Sequence, residues 1–155
     1  MNLYEAALQI ATEAHEGQTR DNGDPYITHL IAVAKIIGND LTRLGFTPDD
    51  IETEMATAVL HDVVEDTELS ISDVQLFLLR AVGCSDTRIP IIIYLLRGLT
   101  RNSTESYVDY ILNIKHSNSP IAITVKLADL EHNLIDHKPG ARRDKYELAA
   151  ALLKA

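Results

Sequence analysis

The stretch that decides how this chain folds runs from Thr47 to Ser70, TPDDIETEMATAVLHDVVEDTELS. Its first half is a helix start. Thr47 is a candidate N-cap and Pro48 suits the first helical position, where its missing N–H is not needed. Ile51, Met55, Ala58 and Val59 then recur on one stripe. The second half breaks the apolar pattern: His61 and Asp62 stand side by side, and Glu65 and Asp66 follow one turn later. On a continuous helix, residues four apart share a face, so His61 would sit over Glu65 and Asp62 over Asp66. Asp62 also falls on the inward stripe, and an inward carboxylate is costly unless it is paired or bound to a metal. The plain reading is a solvated helix end. Against it, acids at a helix C-terminus oppose the macrodipole, so a compensating cation is expected.

Two other segments carry the same anomaly. In DPYITHLIAVAKI, His29 lies among Ile27, Leu30, Ile31 and Val33 on the buried side of a predicted helix. In AITVKLADLEHNL, Asp129 follows Val125 and Ala128 on an apolar face, with Asn133 one turn on. Alone, each has an ordinary explanation, a satisfied core histidine or a paired aspartate. Together, three helices each place metal-type ligands where apolar side chains belong. Two imidazoles (His29, His61) and two carboxylates (Asp62, Asp129) suit Mn²⁺, Fe²⁺ or Zn²⁺ with room for water. Glu65 and Asp66, beside such an ion, could position or deprotonate that water.

The rest of the chain is helical in period. Leu3, Ala7, Ile10 and Ala14 form one stripe; Ile27, Leu30, Ile31, Ala34, Ile37 and Leu41 form another. SISDVQLFLLRAVG has Ser70 or Ser72 near its N-cap and Gly83 after its end. DTRIPIIIYLLRGL is β-branched, but no second strand exists to pair with it, so a helix from near Pro90 is expected. STESYVDYILNIKH offers Ser103 and Thr104 as caps. SPIAITVKLADLEHNLIDH offers Ser119 and Pro120, and GARRDKYELAAALLKA is a last helix. The expectation is a single all-α domain over residues 1–155, a bundle of about eight helices.

Composition narrows the function. The chain has 155 residues, 46% of them hydrophobic, enough for a folded core. No apolar run approaches the roughly 20 residues of a membrane span, and the N-terminal stretch lacks a secretory basic region. Cys84 is the one cysteine, which excludes a disulfide framework and fits a reducing cytoplasm. A net charge of −9 disfavours nucleic acid as a partner. An anionic substrate would need a metal or a few placed cations. With no Trp and 2 Phe, a stacking platform for single strands is not expected.

The HD pair at His61–Asp62, with His29 upstream and Asp129 downstream, resembles the HD-domain metal-dependent phosphohydrolases. AHEGQTRDNGDPYITHLIAVAKI, AVLHDVVEDTELS and VKLADLEHN resemble the hydrolase domain of the RelA/SpoT stringent-response enzymes and the single-domain small alarmone hydrolases, over about Ala14 to Tyr146. The resemblance implies an all-α HD fold with Mn²⁺ on His29, His61, Asp62 and Asp129, and Glu65 and Asp66 as the pair that activates water. It implies hydrolysis of the 3′-diphosphate of guanosine tetra- or pentaphosphate, releasing pyrophosphate. Arg20 matches an arginine that packs against the base, Asn133 a residue that contacts the nucleoside, and Tyr146 a substrate-side tyrosine. Lys126 and Arg101 are cations in similar blocks that could face phosphates. Three positions depart from the pattern: Asp21 replaces a lysine, Leu30 a proline, and Leu130 an arginine or lysine. Two other readings remain. One is a related phosphatase acting on a nucleoside monophosphate or the 2′-phosphate of NADPH. The other is a non-catalytic nucleotide-binding regulatory module.

Of the remaining polar residues, His15 is expected to end the first helix structurally and His132 to be exposed on another face. His116 and His137 sit near helix ends, where a cation complements the dipole. Tyr107 and Tyr110 are expected in the core with hydroxyls at its rim. The basic ARRDKY patch could steer an anion toward Tyr146.

Overall fold

A computed structural model describes all 155 residues. The chain forms nine helices: α1 (Leu3–Ala14), α2 (Ile27–Leu44), α3 (Pro48–Leu60), α4 (Val63–Asp66), α5 (Ile71–Val82), α6 (Arg88–Leu99), α7 (Tyr107–His116), α8 (Pro120–Asp136) and α9 (Ala141–Lys154). The all-α architecture is as expected, with α4 an extra single turn. The only extended pairing is an isolated bridge between Thr19 and Pro25.

Local chemistry explains most boundaries. Thr47, Ser70 and Ser119 each accept a hydrogen bond from the backbone N–H of the third residue beyond, which satisfies a donor the helix start leaves free. One expectation holds to within two residues and one needs correction. Helix α6 begins at Arg88, so Pro90 is its third residue; the first-turn N–H groups have no intrahelical acceptor, and proline loses nothing there. Helix α7 is capped by Ser106, not Ser103 or Thr104. The Arg101 guanidinium takes the Glu105 carbonyl, which holds the preceding residues in a loop.

The α2–α3 hairpin turns at Gly45, which has a left-handed φ of 80°. The two helices come close at Gly38, where an added Cβ would stand 2.7 Å from the Met55 sulfur. One apolar core unites α1, α2, α3, α6 and α8 through Leu3, Leu30, Ile37, Leu60, Ile92 and Leu130. Leu30 and Leu130 are both enclosed in it. Two of the three departures noted in the sequence are therefore packing positions. No helix is long and apolar enough to cross a membrane.

The expectation of an unbroken helix through His61 and Glu65 is not met. Helix α3 stops at Leu60, and Asp62 has φ −99° and ψ −5°. The Ala58 carbonyl accepts from the His61 backbone N–H at 3.4 Å and from His61 Nδ1 at 2.6 Å. That carbonyl would otherwise have served the Asp62 N–H. The helix bends there, and both side chains of the pair turn toward α2 and α8.

Candidate metal centre and active site

Four side chains converge from three places in the fold. His29 comes from the first turn of α2, His61 and Asp62 from the α3–α4 corner, and Asp129 from the middle of α8. One ligand atom from each lies within 4.8 Å of all the others. His29 Nε2 is 2.9 Å from Asp129 Oδ1. His61 Nε2 is 3.1 Å from Asp62 Oδ2 and 3.4 Å from Asp129 Oδ1. His29, His61 and Asp129 are buried and Asp62 is nearly so.

The donor set fits a divalent cation. Because His61 Nδ1 donates to the Ala58 carbonyl, the Nε2 lone pair of the neutral ring faces the carboxylates. Nε2 is buried and takes no hydrogen bond from the protein. A lone pair aimed at two carboxylates calls for positive charge between them. Burial opposes a charged imidazole here, yet Asp62 and Asp129 overcome it and raise the His61 pKa well above the ordinary value. Burial likewise opposes the Asp62 and Asp129 carboxylates. For Asp62, His61 outweighs it and lowers the pKa to about 2; for Asp129, Lys126 and His61 hold it far down. Two ionised carboxylates and two imidazoles within reach of one point can hold a divalent metal.

A ring of supporting contacts fixes the four. Lys126 Nζ, nearly buried, donates to Asp129 Oδ2 at 2.7 Å, and Asn133 Nδ2 donates to Asp129 Oδ1 at 2.9 Å. Arg20 donates to Asn133 Oδ1 at 3.2 Å and pairs with Asp136 at the same distance. Tyr26 Oη donates to Asp62 Oδ2 at 2.6 Å, and its ring stacks on His15, which caps the end of α1 as expected. His132 is not exposed as expected: its Nδ1 lies 2.7 Å from His29 Nδ1, so one ring donates to the other. If His29 Nε2 is kept for a metal, the proton belongs on its Nδ1. The i,i+3 relation of Asp129 and His132 could have revealed this contact. Tyr26 had no such signal, because it precedes α2 and lies outside its period.

Beside these ligands opens a cavity of about 200 Å³. Asp62, Glu65, Asp66 and Asp129 line it against Arg101, Lys126 and Lys145, with Tyr107 and Tyr146 also on its wall. Burial raises the Glu65 pKa; burial, then Asp62 and Glu65, raise that of Asp66 to about 6. The Arg101 backbone N–H donates to Glu65 Oε2 at 3.3 Å. Lys145, named in the sequence only as part of the ARRDKY patch, lies 4.5 Å from the centre of the Tyr107 ring. The Tyr110 hydroxyl donates inward to the Leu99 carbonyl, and that of Tyr107 is buried, so neither sits at the rim. A second cavity of about 210 Å³ adjoins the first and shares Tyr26, Asn133 and Tyr146 with it. Arg20, Asp21, Asp136 and Arg142 line this distal cavity. The clustered His29, His61, Asp62 and Asp129, the acids Glu65 and Asp66, and Arg20, Arg101, Lys126, Asn133 and Tyr146 thus gather at or beside two adjoining cavities.

Comparison with known proteins points the same way. The family model described as HD domain matches residues 7–81. A GTP pyrophosphokinase of Streptomyces coelicolor is 31% identical over 141 residues, covering 86% of this chain and 14% of that protein. The bifunctional (p)ppGpp synthase/hydrolase SpoT of Escherichia coli is 49% identical over 69 residues, 44% of this chain and 9% of that protein. The chain therefore spans only a small part of these relatives. A solved structure, described as a metazoan ortholog of SpoT that hydrolyzes ppGpp, superposes with a TM-score of 0.74 at 27% identity, over 99% of this chain and 84% of that one. The matched stretch carries His29, His61 and Asp62, three of the four converging side chains, and over it the chain is similar to the HD-domain proteins and to the SpoT and RelA relatives.

Proposed function

We propose that residues 1–155 act as one HD-type domain, a cytoplasmic Mn²⁺-dependent hydrolase that removes the 3′-diphosphate of guanosine tetra- or pentaphosphate as pyrophosphate. The observation that carries this reading is the unpartnered His61 Nε2 facing Asp62 and Asp129, next to a second pair of acids. The names of the SpoT relatives and of the superposed structure support the substrate.

His29, His61, Asp62 and Asp129 would hold the ion. A divalent cation at such a site lowers the pKa of a water and polarises a phosphoryl oxygen. Glu65 and Asp66 lie on the cavity wall beside it and orient the attacking water. A carboxylate whose pKa is raised to about 6 accepts a proton near neutral pH more readily than an ordinary aspartate, which suits Asp66 as the proton acceptor. As the new bond from water to phosphorus forms, the bond to the 3′-oxygen breaks, and that oxygen takes up a proton. Lys126, Arg101 and Lys145 offset charge on the diphosphate. Arg20, Asn133 and Tyr146 bound the space beyond it, where the nucleoside would lie.

The test is a nucleotide panel with manganese-loaded protein, reading pyrophosphate and orthophosphate separately. Pyrophosphate from guanosine tetraphosphate is expected. Orthophosphate from a nucleoside monophosphate or from NADPH would assign the site to a related phosphatase. Nucleotide binding with no turnover would make the protein a regulatory module.

A further inference from the structure

The two adjoining cavities differ in charge, and the difference bears on which end of a nucleotide each can accept. In the reacting cavity four carboxylates face three cations, and a divalent ion held there leaves a positive surplus. In the distal cavity two guanidiniums face two carboxylates, and every one of them is already paired. Arg20, whose side chain is 7% exposed, bonds Asp136 and Asn133. Arg142 bonds Asp21 at 2.7 Å, and His137 Nε2 lies 3.9 Å from the same carboxylate. Asp21 sits on the α1–α2 loop and Arg142 in the first turn of α9, so their contact spans the cavity between two separate parts of the chain.

We propose that Asp21 sets substrate specificity by neutralising Arg142, so that the protein favours nucleotides that carry their phosphate charge at the reacting 3′ end and little at the 5′ end. This rests on the hydrolase reading above and refines its substrate. The 3′-diphosphate enters the positive cavity. A 5′-phosphate chain must enter a distal cavity with no free cation and next to the Asp21 carboxylate. Each added 5′-phosphate then brings repulsion without a new partner. The pair itself is exposed and weak, so the discrimination comes from the cancelled field and not from the strength of a closed gate.

The experiment uses guanosine 3′-diphosphates bearing a 5′-hydroxyl, monophosphate, diphosphate or triphosphate, with wild-type protein, Asp21→Asn and Asp21→Lys. Asp21 is 81% exposed on its side chain, so both variants should fold. For the wild type, kcat/KM is expected to fall along the series through KM. In Asp21→Lys, kcat/KM for the 5′-diphosphate relative to the 5′-hydroxyl form should rise on the order of tenfold, with Asp21→Asn between. The gain should shrink as salt is raised. A wild type that prefers the 5′-diphosphate tenfold, or an Asp21→Lys ratio within twofold of wild type, overturns the inference. If no member of the series is hydrolysed, the hydrolase reading fails, and dissociation constants of the same nucleotides, measured by calorimetry, still decide whether Asp21 sets the preference.

Discussion

The Tyr26 hydroxyl donates to Asp62 Oδ2 across 2.6 Å, joining the residue before α2 to the corner where α3 ends. The other face of this phenol stacks on His15, whose Nδ1 is held by Gln18 at 2.8 Å. Asp62 is thus aimed by a side chain that is itself clamped. Partners of this kind typically contribute 10- to 100-fold in metal affinity. Tyr26→Phe keeps the ring and the stack and removes only the donor. It is expected to weaken manganese binding about tenfold, read by calorimetric titration. An unchanged dissociation constant would show that Asp62 is oriented by the backbone alone.

What could be read from the sequence, and what could not, follows from the cost of burying charge. His29, His61, Asp62 and Asp129 stand out because each interrupts an apolar face, and each is indeed in the cluster. The helix break at His61 was hidden because its cause is a side chain taking the Ala58 carbonyl, a contact with no period. His132 reads as exposed from its own helix because its partner His29 comes from α2, about a hundred residues away in the chain. Leu130 looked like a lost cation, whereas it fills the core. Arg142 and Lys145 are legible as members of the basic ARRDKY patch beside Tyr146, but which cavity each of them lines is set by tertiary packing and not by local pattern.

A stability prediction lies far from this site. Glu54 is buried on α3 with 6% exposure, and no protein group donates to its carboxylate. Burial, then repulsion by Asp50, raises its pKa to about 6. The folded state therefore holds this proton more tightly than the unfolded chain, where the value is near 4.5. Stability that this group contributes at low pH is lost as pH rises between those two values, by about 1–2 kcal/mol. Glu54→Gln should flatten that part of the profile and raise stability at pH 7 by about 1 kcal/mol, measured by urea unfolding from pH 4 to 8. A mutant less stable than wild type at pH 7 would mean that the carboxylate has a partner it needs.

Chelation should destabilise the whole fold and not only stop activity. The four clustered side chains come from α2, the α3–α4 corner and α8, which also build the core, and without a metal the Asp62 and Asp129 charges are offset only by Lys126 and a proton on His61. A ligand at one hundred times its dissociation constant stabilises the folded state by about 2.7 kcal/mol. For a chain of this size that corresponds to roughly 5–11 °C in melting temperature. Thermal melts with excess manganese and with EDTA should differ by that amount, and the difference should vanish in His61→Ala. A chelator-insensitive melting temperature would argue that a proton on His61, and not a metal, balances the cluster.

The last prediction separates holding the ion from using it. Asp62 belongs to the four-residue cluster, whereas Glu65, also on the cavity wall, lies outside it and accepts from the Arg101 backbone. Asp62→Ala removes a charged ligand, so metal content and hydrolysis should fall together. Glu65→Ala removes a group that orients water, so metal should stay bound while kcat falls by about 10²–10⁴, the usual range for a positioned acid–base group. Metal analysis of the purified variants, beside single-turnover rates at saturating manganese, distinguishes the two. Should Glu65→Ala lose metal as fully as Asp62→Ala, Glu65 would be a fifth ligand, and the work of activating water would pass to Asp66. That residue is suited to it, since burial, Asp62 and Glu65 together raise its pKa to about 6.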